Sequence, residues 1–473
     1  MNIKQIFLLQ HKKNISSLFL IGLSLCWFLF GAKLYWGWQL VGDAYDYYLW
    51  SLYYINEPIS VLNTTLNRPY LYPLWIDLIT LFNSSFIQSN SFQIYVSIVQ
   101  FLVYISSLNH LYNTGVITNK SWIRYGAIVV ASGPAFVFYS FEIMAESLSI
   151  SVFIFWISSI IRARNTNLSV RNKNIIYCII NIFFSSILFM LKSLFLITWF
   201  IAFLHLLYFT FIKYQKNIKE NINIFIACTI INLLIFTPQI LLMTNHVVIR
   251  MTEKNAIDPK FFGAGSLNIW AGTYSSKAQN SSVKCDNLGL HITHNFYGNK
   301  KIIFQDSEPT GNMYMWLLKN PVRIMIHYFE LVNYDFSQIN ITSCNSLLHV
   351  INNIIYATIY ATITGLLVFW KSLKIFISKT EIIVVIPILG AILQFLVGGF
   401  MIAETRYGIL IQIVLSITAG KYVEIMIESK YNIRKILSLV IIFIVVIIEL
   451  YLSFYIKEDF CSLCTRKNMF GHI

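Results

Sequence analysis

The sequence predicts an all-α polytopic membrane protein, of the kind built from about 11 transmembrane helices with additional interfacial helices. Three observations carry that prediction. Of the 473 residues, 57% are hydrophobic and only 12% are charged. The mean hydropathy of +0.64 is far above that of an ordinary soluble chain. Apolar runs of about 20 residues, the length that crosses a bilayer as a helix, recur along the chain.

Taken in order, the first apolar run lies near 15–36 and lacks a small-residue cleavage site, so it reads as a retained anchor. Further runs lie near 92–112, 122–140, 143–161, 175–191, 194–212 and 222–243. After a long polar stretch come four more, near 346–370, 381–402, 405–427 and 435–456. The segment from Tyr70 to Phe82 is apolar but short, and Asp77 interrupts it.

Basic loops decide how that segment is counted. If it does not cross, Lys12 and Lys13, Arg162 to Lys173, Lys213 to Lys219, Lys371 to Lys379 and Lys430 to Lys435 all share the cytoplasmic side, as the positive-inside rule requires. Residues 70–82 are therefore expected to form an interfacial or re-entrant helix. The net charge of +14 is orientation charge and snorkelling at that face. No soluble basic stripe with interleaved aromatics exists to bind nucleic acid.

This topology predicts three regions. Residues 1–243 form an amino-terminal transmembrane module with a first external loop at 37–91. Residues 244–345 form an external region, Asn-rich and Gly-broken, that closes as a lid and ends in the amphipathic stretch NPVRIMIHYFELVNYDF. Residues 346–473 form a carboxy-terminal transmembrane module with an external tail.

Polar residues beside the membrane collect on the external side. The first loop opens GDAYDYYLW, with Asp43, Asp46 and Tyr47 just past a span, and closes on NRPYLYP, with Arg68, Tyr70 and Tyr72. Glu142 and Glu146 lie four apart at the start of the fourth span, where a helix amino terminus favours the ionised form. Lys192 occupies a tight external turn, against the charge bias, which an anionic headgroup or substrate phosphate would explain. Glu404, Arg406 and Tyr407 form a second acid, base and aromatic cluster before the tenth span. An acidic cap, a snorkelling lysine and a Glu404 to Arg406 structural pair are the plain alternatives.

His291, His294 and Asp306 lack the spacing of a zinc motif. Cys26, Cys178 and Cys228 read as small apolar residues in spans. Cys285, Cys344, Cys461 and Cys464 are external, where an oxidising compartment would permit pairing. No Walker loop or dinucleotide fingerprint is present, so nothing points to an ATP- or NAD-driven machine.

The order of GDAYDYY, NRPYLYP, YSFEIMAESL and ETRYGIL resembles the GT-C superfamily of integral membrane glycosyltransferases, and within it the protein O-mannosyltransferase and lipid A aminoarabinose transferase group. The resemblance puts Asp43 in the place of the catalytic acid and Tyr47 in that of the following tyrosine, with Asp46 a neighbour. It puts Arg68, Tyr70 and Tyr72 in an Arg-Pro-Pro-Leu-Tyr-Pro pattern, where Tyr70 replaces the second proline. Glu146 matches the acid before the fourth span, with Glu142 second, and Glu404, Arg406 and Tyr407 match a late Glu-x-Arg-Tyr.

What the resemblance implies is transfer of a sugar from a polyprenyl-phosphate donor to an envelope glycan, lipid or protein acceptor outside the membrane, with inversion. Asp43 would be the base, with Arg406, Lys192 and Arg68 on the phosphate. Glu146 would either orient that site or join Asp43 in holding a divalent cation, the one cofactor the sequence leaves open, while requiring none. The high Ile, Asn and Lys usage fits an AT-rich bacterial genome. The expected setting is therefore a bacterial inner membrane with the site facing the periplasm, a eukaryotic secretory membrane being the alternative. A polysaccharide polymerase or ligase, a lipid-linked glycan flippase or transporter, and a non-catalytic assembly partner are the rival readings.

Overall fold

The computed structural model describes residues 17–32, 43–56, 69–89, 91–141, 143–166, 168–192, 195–213, 222–238, 285–286, 289–290, 346–369, 386–393, 409–428 and 433–461. At Asp43 and Asp46 it describes the backbone only. The chain divides into two compact units, one of Met1–Val247, Thr358–Ile392 and Leu410–Phe443, the other of Val248–Ala357, Leu393–Ile409 and Ile444–Ile473.

Helices account for nearly all of the described residues. They are α1 Ser17–Ala32, α2 Asp43–Asn56, α3 Leu71–Ile79, α4 Ser84–Ile87, α5 Phe92–Ile117, α6 Ser121–Ser132, α7 Pro134–Phe138, α8 Ala145–Arg164, α9 Val170–Leu191 and α10 Leu196–Leu207. There follow α11 Ile222–Pro238, α12 Ser346–Val368, α13 at 386–393, α14 Ile409–Glu428 and α15 Ile433–Cys461. One departure from an all-α chain lies in the second unit, where strands β1 Cys285–Asp286 and β2 Gly289–Leu290 pair antiparallel.

Each apolar window read from the sequence overlaps one or more of these helices. Among the described residues, four helices are long and apolar enough to cross a membrane, or five if the bent pair α6 and α7 is one span. That establishes an integral membrane protein; the number of spans beyond these is an expectation. The window at 122–140 is broken in the structure into two helices that meet at 63°. Pro134 starts α7 and has no N–H to continue α6, while Gly133 before it is extended at φ −79°, ψ 110°.

The 9 residues of α3 rise only about 14 Å, too little to cross a bilayer. Its end is a Schellman cap: Phe82 N donates to the Asp77 carbonyl at 2.8 Å and Leu81 N to the Leu78 carbonyl at 3.2 Å. Leu81 stands where glycine is usual, in the left-handed region at φ 54°. The same cap ends α5, with Asn119 at φ 53°, Lys120 N on the Gly115 carbonyl at 2.9 Å and Asn119 N on Val116 at 3.2 Å.

Small residues and satisfied hydroxyls let the helices of the first unit pack. Ser149, Ser158 and Thr114 return their hydroxyls to the carbonyls of Ala145, Ile154 and His110 at 2.7 to 2.8 Å, so these three groups do not face lipid unbonded. Trp156 Nε1 donates to Asn181 Oδ1 at 2.9 Å, joining α8 to α9. Ser186 on α9 and Trp199 on α10 both donate to Asn232 Oδ1 on α11. In α1, Phe28 stacks on Phe101 at 4.2 Å and on Phe141 at 4.7 Å.

The crossing of α6 and α14 is closer still. A Cβ on Gly420 would lie 2.2 Å from Gly126 N and 2.3 Å from the Trp122 carbonyl. Only glycine fits between those backbones. Beside the crossing, Glu424 accepts from Trp122 N at 3.1 Å, closing the open start of α6 from another helix, and Glu424 also holds Lys421.

Candidate functional site

The segment after the first apolar run becomes helical at Asp43, the first residue of α2, so Asp43 and Asp46 fall in the turn where a helix dipole favours negative charge. Tyr47, one turn after Asp43, is buried and meets Tyr72 of α3 edge to face at 4.8 Å. The Tyr72 hydroxyl donates to Gln100 Oε1 on α5 at 2.8 Å, and Gln100 Nε2 donates to the Ser140 carbonyl at 3.1 Å. Tyr70 reaches away from that line: its hydroxyl donates to the Ile235 carbonyl of α11 at 2.7 Å, and burial raises its pKa. Pro69 and Pro73 are buried and fix the chain around both tyrosines.

Glu146 and Lys192 come together. The lysine ammonium donates to Glu146 Oε1, with the two side chains only 15% and 3% exposed, lysine first. Each lies at the favourable end of a helix dipole, Glu146 in the first turn of α8 and Lys192 as the C-cap of α9. The sequence alone assigns the lysine to a ligand and the glutamate to Asp43 or a cation; in the fold each has the other.

One apolar cluster gathers these parts. Tyr47, Tyr72, Ile76, Ile143, Ala145 and Leu191 belong to a single buried core, and the last two adjoin Glu146 and Lys192. The structure therefore brings the acidic turn of α2, the Tyr47 and Tyr72 pair and the Glu146 and Lys192 pair to one end of the helices of the first unit. Arg68, Glu142, Glu404, Arg406 and Tyr407 lie outside the described residues, as do His291, His294, Asp306, Cys344, Cys464 and the amphipathic stretch at 320–336.

Asp77 is the residue that sequence reasoning passes over. It lies on the buried face of α3 with Tyr72, Pro73 and Ile76. It is fully buried, and neither carboxylate oxygen has a hydrogen-bond partner among the described residues. Burial without a counter-charge pushes its pKa up to about 8. A signal exists, namely one acid interrupting an apolar run beside the membrane.

At the opposite end of α5 and α8, His110 Nδ1 contacts Ser158 Oγ at 2.6 Å and Arg162 Nη1 contacts His110 Nε2 at 3.3 Å. Cys26, Cys178 and Cys228 lie on helices outside any disulfide, Cys178 and Cys228 buried and Cys26 exposed, and Cys178 Sγ contacts His205 Nδ1 at 3.9 Å. Among the described residues no three His, Cys, Asp or Glu side chains gather as a metal site would require.

No protein-family model matches the chain, and no curated protein matches it. Among solved structures it is similar to the archaeal oligosaccharyltransferase AglB from Archaeoglobus fulgidus, in complex with an inhibitory peptide and a dolichol-phosphate. Identity is 11% and the TM-score 0.44, over 93% of this chain and 56% of that one. The chain thus spans little more than half the length of that protein.

Proposed function

We propose that the chain is a membrane glycosyltransferase of the GT-C kind, moving a sugar from a polyprenyl-phosphate donor to an envelope glycan, lipid or protein acceptor at the external face of a bacterial inner membrane. The observation that carries this reading is the convergence at one end of the first unit: an acidic helix start at Asp43 beside an aromatic pair and a lysine and glutamate pair. A transferase needs an acid and a cation at one apolar rim.

In this reading Asp43 takes the proton of the acceptor hydroxyl as its oxygen bonds to the anomeric carbon. The bond from that carbon to the phosphate oxygen breaks, and the electron pair leaves on the polyprenyl phosphate. One displacement inverts the centre. Lys192 supplies positive charge near the departing phosphate, held in place by Glu146. Arg68 and Arg406, with Glu404 and Tyr407, are proposed as further phosphate and sugar contacts. A divalent cation fits Glu146 poorly, because that carboxylate already carries an ammonium.

The test is mass spectrometry of envelope glycans and polyprenyl-linked sugars from strains carrying the wild type, Asp43→Asn or no copy, with protein levels matched. Loss of the same sugar from one acceptor in the last two strains, with accumulation of its lipid-linked donor, is the expected result. An Asp43→Asn strain that matches wild type while the null strain differs would overturn the role of Asp43.

A further inference from the structure

An acid with no partner in an apolar core is expensive, and a fold keeps one only where something compensates. Asp77 is such an acid. It lies five residues after Tyr72 on the buried face of α3, while Leu78 beside it is 51% exposed on the other side. Its backbone is fixed by the α3 cap, where its carbonyl accepts from Phe82 N. Its carboxyl oxygens are the part left without a partner among the described residues.

The titratable groups that α3 and its neighbours bring to this end are Tyr47 and Tyr48 of α2, Tyr95 of α5, Lys192 of α9 with its partner Glu146, and Tyr70 ahead of α3. Asp43 and Asp46 start α2. Among the described residues the one cation at this end, Lys192, is engaged by Glu146, so its charge toward an anionic ligand is partly offset and a further donor would add to it. An ionised Asp77 would repel an anion. A neutral Asp77 offers it an O–H in a site from which water is excluded, where a donor is worth most.

We propose that Asp77 is a neutral hydrogen-bond donor to an anionic phosphate oxygen of the lipid-linked donor, which supplies on binding the partner that the resting fold withholds. This rests on the transferase reading. The proton stays on Asp77, shared with the phosphate oxygen, while the acceptor proton goes to Asp43. The carboxyl thus stabilises the charge left on the departing polyprenyl phosphate without being consumed. Its raised pKa explains how it stays protonated at neutral pH.

The experiment measures binding of a polyprenyl phosphate to the full chain in nanodiscs between about pH 7 and about pH 9.5. Phosphatidic acid and inorganic phosphate serve as separate arms. Wild type is expected to bind the polyprenyl phosphate and to lose about tenfold in affinity as pH rises through the upper half of that range. Asp77→Asn keeps an N–H donor that does not titrate, so it rescues binding and flattens the profile. Asp77→Leu, which removes a buried polar group and should fold, binds about tenfold more weakly than wild type at pH 7 and shows no further loss as pH rises.

Wild-type affinity in Asp77→Leu, or the same alkaline loss in Asp77→Asn as in wild type, overturns the role of Asp77 and leaves the transferase reading standing. Failure of the wild type to bind polyprenyl phosphate at all removes both. Binding of phosphatidic acid with equal affinity and the same dependence on Asp77 overturns the assignment to the donor and makes the site one for membrane phospholipid. Equal behaviour of inorganic phosphate does the same in favour of a free anion.

Discussion

Lys192 and Glu146, 46 residues apart in sequence, form an ion pair across neighbouring ends of two antiparallel helices, each charge matched to the dipole of its own helix. The pair closes the α8 and α9 hairpin directly against the core that holds Tyr47 and Tyr72. It therefore has a structural effect that can be separated from its chemistry.

Glu146→Gln should destabilise the protein by about 3 to 5 kcal/mol, since it removes the carboxylate to which a largely buried ammonium donates. The double variant Glu146→Gln with Lys192→Met should recover most of that loss and still fail in sugar transfer. Thermal unfolding in detergent, run beside an assay of lipid-linked donor consumption, separates the two effects. A double variant that regains transfer would show the pair to be structural alone.

Asp43→Asn should lower transfer by about 10² to 10⁴, the usual contribution of a general base, without a change in thermal stability. Asp46→Asn should keep most of the activity. In vitro turnover with a purified polyprenyl-phosphate sugar checks both, and equal losses at the two positions would contradict the assignment.

Tyr72→Phe removes the hydroxyl that donates to Gln100 Oε1 in a buried position. The expected cost is about 1 to 3 kcal/mol in unfolding free energy. Because Tyr72 also packs on Tyr47, one turn from Asp43, activity should fall more than stability alone explains. An unchanged unfolding curve would show that the hydrogen bond contributes nothing.

Asp77 makes stability depend on pH. Its ordinary pKa is 3.8, and in the folded protein it is about 8. Between those values the folded state holds a proton that the unfolded state has lost, so this group makes stability fall as pH rises through that window. Asp77→Asn should remove that component of the slope. Unfolding midpoints measured across the window for both proteins test the sign, and a steeper fall in the variant would reverse it.

Gly420→Ala should weaken the crossing of α6 and α14, because its new methyl would meet backbone rather than a movable side chain. A loss of about 1 to 3 kcal/mol is expected. Gly420→Leu puts a larger intruder in the same place and should reduce the amount of folded protein still further. Detergent-extracted yield and melting temperature, compared between the two variants and the wild type, provide the check; an unchanged melting temperature in both would contradict the close crossing.

Much of the fold can be read from residues alone. Runs of about 20 apolar residues leave a chain little choice but helix in a bilayer, where each backbone polar group must be satisfied within its own segment. Basic loops argue that the segment around α3 does not cross, and its 9 residues agree. The break at Gly133 and Pro134 is also written in the sequence, yet the uninterrupted hydropathy of the window conceals it, because hydropathy carries no information about a missing N–H.

The candidate site divides along the same line. Sequence by itself determined which residue types stand at the ends of the apolar runs, since local pattern requires only neighbours along the chain: Asp43, Tyr47, Tyr72, Glu146 and Lys192 are all singled out that way. Only the tertiary structure decided who meets whom. That Lys192 belongs to Glu146, that Tyr72 bonds Gln100, and that Asp77 is buried with no partner among the described residues depend on how α3, α5, α8 and α9 pack. Pairing across helices is set by packing geometry, and desolvation by everything that surrounds a group, neither of which is a property of a residue's position in the chain.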